Sequence, residues 1–383
     1  MGAQQCAILV SSMLENFWEK LPSPFFVLAP MADVTDVAFR QIIAKYSKFA
    51  RTADWRGGPD VMYTEFVSAD GLCHPEGRKR LLLDLKYGEN ERPIVAQLFS
   101  GKVAKMREAA KIVRELGFDG LDINMGCPDK TIEKQGAGAA LIKNPKLAQE
   151  LIYAAKEGFG GPVSVKTRLG YSSVSEMENW VRSLCEAKPV AIVMHLRTRR
   201  EMSKVPAHWE LAGTYSKVLK NFRIKAIANG DVVDLADAKK KAEKNNLDGA
   251  MLGKAVLGNP YLFANLSEER LQKAVGPLRE QSDSYELTTN LKERLHIMVE
   301  HTELFEKYFH NVKSFAIMKK FFKSYISGHP QAKELQERLM RCSSAEEIAL
   351  IVSQFSMYFE LRNSTNPTFK PMRKIPSLLA SPG

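Results

Sequence analysis

Residues 93–128, PIVAQLFSGKVAKMREAAKIVRELGFDGLDINMGCP, contain the pattern on which the fold assignment depends. They begin with a short apolar run, PIVAQLF, and approach their end with a second, DGLDIN. Between these runs the segment 102–117 has apolar residues at three-to-four spacing, among them Val103, Met106 and Ala110, which is typical of a helix with one buried face. A strand, a helix and a second strand in this order predict one unit of a parallel sheet.

The same alternation of apolar runs and helical patterns continues from about residue 25 to about residue 265. Eight runs have the length and composition of buried strands. They are 25–31, 61–66, 93–99, 119–124, 161–167, 189–195, 223–229 and 248–253. Eight strands within about 240 residues match the size of a (β/α)₈ TIM barrel. A doubly wound open sheet would show the same periodicity.

The ends of these strands favour the barrel over the open sheet. In most strands the distinctive polar or reactive residue stands at or just after the carboxyl end. These residues are Met31, Glu65, Gln97, Asn124, Lys166, His195, Asn229 and Gly253. A barrel brings such positions together on one face, where the active sites of this fold lie, whereas an open sheet spreads them along an edge. We therefore predict an α/β fold with a TIM barrel over residues 25–275.

After the predicted barrel the chain shows only helical patterns. A stretch at 276–284 that contains Pro and Ser predicts a linker, and 285–362 predicts a smaller all-α domain. The residues 363–383 include several prolines and predict a flexible tail. Residues 1–24 are expected to form an N-terminal extension, because the apolar run from Cys6 to Leu14 lacks the basic start and the cleavage site of a signal peptide.

Composition narrows the class of protein. With 45% hydrophobic and 26% charged residues, the 383-residue chain is typical of globular proteins, and no run predicts a membrane span. Its 55 Lys and Arg against 44 Asp and Glu give a net charge of +11, which indicates either a polyanionic partner or only a solvated basic surface. The five scattered cysteines form no C-x-x-C pair, so we expect no metal site and a reducing, cytoplasmic setting.

Glycines follow the last two predicted strands. Strand 223–229 ends in Asn229-Gly230-Asp231, and the next strand ends in Gly253-Lys254. At strands seven and eight of a barrel, such glycines let backbone N–H groups approach a phosphate. The simpler interpretation is that they are ordinary turn residues. Their occurrence together at the two strand ends favours the phosphate site.

Lys166 and His195 end neighbouring predicted strands. A lysine directed into the mouth of a barrel is a candidate for the electron-rich edge of a reduced flavin, because a cation there stabilises the anionic form. The alternative is a lysine solvated at the rim. Cys127 follows the fourth strand and could be a nucleophile, a buried filler or a general acid.

The predicted helical domain contains cations interleaved with aromatic residues. The cations and potential cations are His310, Lys313, Lys319, Lys320 and Lys323, and the aromatic residues are Phe315, Phe321, Phe322 and Tyr325. They could form a nucleic-acid surface, or the aromatic residues could be a helical core stripe with the lysines on its wet face.

Nine strings occur in the order found in the tRNA-dihydrouridine synthase family. They are APMADVTD (29–36), EFVSADGL (65–72), QLFSG (97–101), DINMGCP (122–128), GAGAAL (136–141), KTRLG (166–170), HLRT (195–198), NGD (229–231) and GKAVLGNPYLF (253–263). Over about residues 25–345 the chain therefore resembles this family. The cysteine motif and the order of the whole set carry most of the specificity.

The resemblance implies an enzyme that reduces the C5=C6 bond of specific uridines in tRNA, using FMN that NADPH has reduced. It also implies that the barrel binds FMN and that the helical domain binds tRNA. The residues that would bind the cofactor are Pro30, Met31 and Gln97 at the ring, Lys166 and His195 at its polar edge, and Asn229, Gly230, Asp231, Gly253 and Lys254 at the phosphate end. Asn124 would hold the uracil, Cys127 would protonate C5, and Arg168 and Arg197 would face RNA or the flavin rim.

The sequence departs from the family pattern at several positions. Leu196 and Ser100 stand where the family commonly has Gly, and Lys254 stands where it has Arg. A lysine can still meet a phosphate, although without the two-pronged contact of a guanidinium. An apparent insertion at 48–58 is basic and contains Trp55, and it could touch RNA or only decorate the barrel.

Two other functions are compatible with part of the pattern. One is an FMN-dependent barrel oxidoreductase that acts on a small molecule such as dihydroorotate, which does not need a cationic helical domain. The other is a non-catalytic RNA-binding protein, against which Cys127, Lys166 and His195 argue. We expect a monomer.

Overall fold

A computed structural model describes residues 14–48, 57–264, 291–327 and 332–363. The chain divides into two compact units, Met1–Thr288 and Thr289–Gly383. Three predicted segments lie outside the described residues. They are the linker at 276–284, the tail after Asn363, and most of the 48–58 insertion, including Trp55.

The first unit contains all eight predicted strands in one parallel sheet. Their order across the sheet is β1, β8, β7, β6, β5, β4, β3, β2. Their bounds are β1 Phe25–Leu28, β2 Met62–Ser68, β3 Ile94–Phe99, β4 Gly120–Met125, β5 Val163–Arg168, β6 Ala191–His195, β7 Lys225–Asn229 and β8 Gly249–Leu252. The first strand is shorter than predicted. Pro30 follows it closely and has no backbone N–H to continue the pairing.

Contacts between the first strand and the segment before β2 close the sheet into a barrel. Val27 and Val61 form a parallel bridge. The backbone N–H of Leu28 donates to Val61 at 3.1 Å, and that of Asp60 donates to Phe26 at 2.8 Å. The prediction of a TIM barrel is therefore confirmed, and the doubly wound alternative is wrong.

Apolar residues fill the lower part of the barrel. Val27, Tyr63 and Met251, from three different strands, belong to one buried cluster with Trp18. Trp18 lies on the short helix Phe17–Lys20 and is only 1% exposed. Its ring is 5.7 Å from that of Phe25, the first residue of β1. This part of the predicted extension therefore covers the amino end of the barrel and leaves the carboxyl end for a site.

Helices connect the strands. The α-helices of this unit are α1 Val37–Ile43, α2 Ala69–Leu72, α3 Pro75–Asp84, α4 Val103–Glu115, α5 Lys130–Lys134, α6 Pro145–Phe159, α7 Met177–Glu186, α8 Ala212–Asn221 and α9 Leu235–Lys244. The shorter helices include the π-helix Ala44–Lys48 and the 3₁₀ helices Glu89–Glu91, Gly138–Lys143, Val174–Glu176, Trp209–Leu211 and Lys254–Val256. Helix α4 buries the predicted face, including Met106 and Ala110.

The second unit is helical throughout its described residues. Its α-helices are α10 Leu291–Phe309, α11 Lys319–Ile326, α12 Ala332–Leu339 and α13 Ala345–Asn363, with a 3₁₀ helix at Phe315–Met318. Phe321, Phe322 and Tyr325 are at most 2% exposed, and the Tyr325 hydroxyl lies 3.2 Å from Nδ1 of buried His301. The interpretation of these aromatic residues as a core stripe is confirmed, so they are not available to stack on bases.

Candidate active site at the carboxyl end of the barrel

The predicted polar residues of the middle strands lie next to one another across the sheet. Asn124 on β4 is in register with Lys166 on β5, and His195 on β6 is in register with Asn229 on β7. These positions stand near the carboxyl ends of their strands. The barrel therefore gathers them at one mouth.

The loop that carries Cys127 is held by three other segments. Oδ1 of Asn124 accepts from the backbone N–H of Gly126 at 3.1 Å and from that of Cys127 at 2.9 Å. The carbonyl of Gly126 accepts from Nε of Arg168 at 2.8 Å, and the carbonyl of Cys127 accepts from the N–H of Ala139 at 2.9 Å. These bonds fix the backbone on both sides of the thiol.

The small residues at 136–141 make room for this loop. A Cβ at Gly138 would lie 2.7 Å from the Cys127 carbonyl oxygen, and the backbone at Gly138 has a φ of +60°. Both the close approach and the left-handed backbone require glycine. The group that approaches Gly138 is the Cys127 loop itself.

The Cys127 thiol is half-buried. Burial raises the pKa of Cys127 above its ordinary value, although Arg168 and Lys166 partly oppose the effect. A raised pKa keeps the thiol protonated at neutral pH. The residue is therefore suited to donate a proton and poorly suited to act as a thiolate nucleophile.

The Lys166 ammonium group has no hydrogen-bond or ion-pair partner among the described residues. Burial, followed by the charge of Arg168, lowers the pKa of Lys166 to about 8, and the charges of Asp122 and Cys127 act in the opposite direction. The group is thus charged in most molecules at neutral pH. An unpaired cation in a barrel mouth fits an electron-rich or anionic ligand.

His195 lies among several cations. Burial, followed by the charges of Lys166, Arg168, Arg197 and Lys254, lowers the pKa of His195 to about 2. The imidazole is therefore neutral. Because Nη1 of Arg197 lies 3.1 Å from Nε2 of His195 and can only donate, Nε2 accepts and the ring proton is on Nδ1.

The two arginines predicted to face RNA or the flavin rim have protein partners. Arg168 donates to the carbonyls of Gly126, Thr198 and Met202. Arg197 donates to the Val205 carbonyl at 2.6 Å and pairs with the Asp231 carboxylate. Both are less than 9% exposed. Substrate contact by either arginine stays a prediction, and the observed bonds indicate that they position loops of the site.

The ends of β7 and β8 differ in backbone conformation at their glycines, and a phosphate site there stays a prediction. Gly230 has a φ of +130°, and a Cβ there would lie 2.8 Å from that of Ala207. Nδ2 of Asn229 donates to the Met251 carbonyl at 2.8 Å. Near the end of β8, a Cβ at Gly253 would lie 3.4 Å from Sδ of Met31, so the structure brings these two predicted residues together.

Comparison with known families decides where the chain belongs. The family model described as "Dihydrouridine synthase (Dus)" matches residues 27–360. The chain belongs to the dihydrouridine synthase family. The match spans the barrel from its first strand and most of the helical unit, as the resemblance in the sequence predicted.

Relatives of this family member are similar along nearly their whole length. A probable tRNA-dihydrouridine synthase of Staphylococcus aureus (strain COL) is 37% identical over 350 residues, which cover 90% of this chain and 96% of the relative. The probable tRNA-dihydrouridine synthase 2 of Bacillus subtilis (strain 168) is 38% identical over 346 residues, covering 90% and 97%. Among solved structures, histamine dehydrogenase from Rhizobium sp. 4-9 aligns with a TM-score of 0.45 at 11% identity, covering 73% of this chain and 49% of that one.

Several site residues were missed by sequence reasoning. The buried side chains of Asp122 and Ser164 join one hydrogen-bonded network with Gln97 and Asn124. The strand period could have indicated Asp122, since it stands two residues before Asn124 and thus on the same face of β4. Arg199 also went unnoticed, and it pairs with Glu133 beyond the Cys127 loop.

The part of the chain that the structure describes has no membrane-spanning helix and no cluster of metal ligands. No helix in the described part of the chain is long and apolar enough to span a bilayer. The residues that the structure describes likewise contain no group of three or more His, Cys, Asp or Glu side chains arranged to hold a metal ion.

Proposed function

We propose that this member of the family is a tRNA-dihydrouridine synthase, which reduces the C5=C6 bond of specific tRNA uridines with FMN that NADPH has reduced. The observation that supports this most strongly is the pairing of two groups in one barrel mouth. The Cys127 thiol is kept protonated, and the Lys166 ammonium group has no partner among the described residues. A flavin reduction of a double bond needs a cation near the flavin and a proton donor at the substrate.

The donor set of the mouth fits FMN. The positive charges of Lys166, Arg168, Arg197 and Lys254 all act on His195, and such a concentration of charge suits a phosphate and the electron-rich edge of a flavin. Lys166 and His195 would hold that edge, with Pro30, Met31 and Gln97 along the ring. Asn229, Gly230, Gly253 and Lys254 would hold the phosphate end.

Asp231 would contribute to the phosphate end through its backbone. Its carboxylate is occupied by Arg197 and by the N–H of Ala207 at 2.8 Å. Chiefly through the hydrogen bond from Arg197, the pKa of Asp231 is lowered, so the group is an anion. An anionic side chain would repel a phosphate, whereas the N–H groups at this turn would attract one.

The protein residues then account for the addition across the uracil double bond. FMN, when bound, supplies the hydride that becomes the new C6–H bond. The Cys127 thiol donates its proton to C5 and is left as a thiolate, which solvent reprotonates. Nδ2 of Asn124 uses one hydrogen on Gln97, so its second hydrogen remains for a uracil carbonyl, where negative charge develops.

The helical unit, which we propose to be residues 285–362, would bind the RNA backbone. Lys320 and Lys323 are exposed on α11, and the neighbouring aromatic residues are buried. Contacts from these lysines would therefore go to phosphates and not to bases. We also propose that the protein acts in the cytoplasm as a monomer.

Dihydrouridine mapping would test this function. tRNA from cells with the gene, without it, and with the gene restored as Cys127→Ala would be mapped position by position. We expect one set of positions to lose dihydrouridine in the second and third samples. Unchanged mapping in cells without the gene would contradict the proposal.

A further inference from the structure

Asp122 is a buried carboxylate in the middle of β4, and the function proposed above gives it no task. The Ser164 hydroxyl donates to its Oδ1 at 2.6 Å, and Nε2 of Gln97 donates to its Oδ2 at 2.7 Å. Its exposed fraction is 0%. The bond to Gln97 links this carboxylate to the loop of Cys127.

The carboxylate decides the orientation of the Gln97 amide. In the ionised form of Asp122, Oδ2 can only accept from Gln97, so Gln97 must present its NH₂ group to it and turn its oxygen away. That oxygen, Oε1, accepts from Nδ2 of Asn124 at 3.1 Å. The orientation of the Gln97 amide thereby fixes that of the Asn124 amide.

The orientation of Asn124 in turn reaches the reactive loop. With Nδ2 directed at Gln97, Oδ1 is directed at the backbone N–H groups of Gly126 and Cys127, at 3.1 and 2.9 Å. A reversed Asn124 would place N–H groups against N–H groups. That contact is repulsive and leaves both backbone N–H groups without an acceptor.

We propose that Asp122 is a positioning residue that acts through Gln97 and Asn124 to hold the Cys127 backbone and direct its thiol at the substrate base. The inference rests on the proposed role of Cys127 as the proton donor. Asp122 does not touch the base. It fixes one of the two possible orientations of the Gln97 amide and, through it, of the Asn124 amide. The Cys127 loop therefore has a single arrangement.

Protonation of Asp122 on Oδ1 preserves this orientation. Burial raises the pKa of Asp122 to about 7, so both forms occur near neutral pH. A proton on Oδ1 can be donated to Ser164, because a hydroxyl also accepts. Oδ2 then still accepts from Gln97.

The same chemistry gives a matched pair of variants. In Asp122→Asn the amide can direct its oxygen at Gln97 and its NH₂ group at the Ser164 hydroxyl, which preserves the chain of bonds. In Asp122→Leu the shape is similar but both acceptors are lost, so the Gln97 and Asn124 amides are free to invert. A general loss of stability would affect both variants, whereas loss of orientation affects only the second.

The experiment compares the wild-type holoenzyme with both variants in three measurements. They are the rate of iodoacetamide alkylation of Cys127, followed by mass spectrometry of its peptide, and the rates of flavin reduction by NADPH and of flavin reoxidation by tRNA. For Asp122→Leu we expect several-fold faster alkylation, because the loop is looser. We also expect tRNA reoxidation to slow by on the order of 10²-fold, the typical effect of a misplaced reacting group. Reduction by NADPH should change less than reoxidation by tRNA, because it needs no proton donor at the base, and Asp122→Asn should resemble the wild type.

Equal alkylation rates for the wild type and Asp122→Leu would overturn the inference. If Asp122→Leu does not fold, Gln97→Met interrupts the chain one step later and should accelerate alkylation in the same way, and an unchanged rate would again overturn it. A wild-type enzyme that tRNA does not reoxidise would instead refute the proposed function. The alkylation contrast does not depend on electron transfer, so the two failures are distinguishable.

Discussion

The Cys127 loop and the ends of β7 and β8 lie at the same mouth but are built differently. Around Cys127, backbone N–H and carbonyl groups are bonded to Asn124, Arg168 and Ala139. At the ends of β7 and β8, Gly230 has a φ of +130° and the charged group of Lys254 has no partner among the described residues. The first region is fixed by protein contacts on both sides of the thiol, whereas the second includes a cation without a protein partner in the part of the chain that the structure describes.

In the proposed function, the Cys127 side of the mouth would donate the proton, and the ends of β7 and β8 would bind the cofactor. Replacing Cys127 should therefore slow only the step in which tRNA reoxidises the flavin. In Cys127→Ala we expect flavin reoxidation by tRNA to slow by roughly 10²–10⁴-fold, the usual contribution of a general acid. FMN content and reduction by NADPH should remain. Stopped-flow absorbance separates the two steps, and loss of FMN or an unchanged reoxidation rate would show that Cys127 is structural.

Substitution of the glycine at the end of β7 should instead weaken FMN binding. Gly230→Ala places a Cβ 2.8 Å from that of Ala207 at a φ of +130°, so the turn must move, with strain on the order of 1–3 kcal/mol. We expect FMN to bind roughly tenfold more weakly, measured by fluorescence titration of the apoprotein. Gly213→Ala on α8 is the control, since its Cβ would meet only Oδ1 of Asn245 at 3.7 Å. An FMN affinity of Gly230→Ala equal to that of Gly213→Ala would place the phosphate elsewhere.

The lysines of α11 in the helical unit should have a smaller effect, on RNA affinity alone. Changing Lys319, Lys320 and Lys323 to Ala should weaken tRNA binding and reduce the slope of log affinity against log salt by roughly 2–3. The matched control removes three exposed lysines from α9, at positions 239, 240 and 244. Filter binding at several salt concentrations gives both slopes. Equal losses in the two triple variants would mean that charge acts without regard to location.

The smallest expected effect is a shift in the pH at which Cys127 becomes reactive toward iodoacetamide. Because burial raises the pKa of Cys127, its alkylation should accelerate at a higher pH than that of a free cysteine, whose pKa is about 8.5. Glutathione in the same iodoacetamide assay is the control. A midpoint below that of glutathione would indicate a thiolate, and would argue against proton donation by Cys127.

The sequence allowed the barrel to be predicted because its signals are local. Strand periodicity located all eight strands, and the polar residues at their ends predicted a common face. The hydrogen-bond partners of those residues depend on the register between strands that are distant in sequence. A local sequence pattern does not reveal that register. Gln97, Asp122 and Ser164 come from three strands, so their network became visible only in the closed barrel.

The partners of Arg168 and Arg197 also could not be predicted from the sequence. A cation after a strand end is compatible with RNA, flavin or protein partners. Contact of Arg168 and Arg197 with RNA or the flavin rim stays a prediction, and the structure adds that their guanidinium groups reach backbone carbonyls of the 198–205 segment. Loop carbonyls have no sequence signature, so these partners could not be predicted.

Reoxidation of the reduced enzyme tests the central claim most directly. The purified protein would be reduced with one equivalent of NADPH without oxygen and mixed with tRNA that lacks dihydrouridine, with free uridine, or with orotate, the oxidised partner of dihydroorotate. We predict that flavin absorbance returns rapidly with the tRNA alone and that dihydrouridine appears in equal amount. Rapid reoxidation by orotate with none by tRNA, or a protein that binds no flavin, would contradict the account.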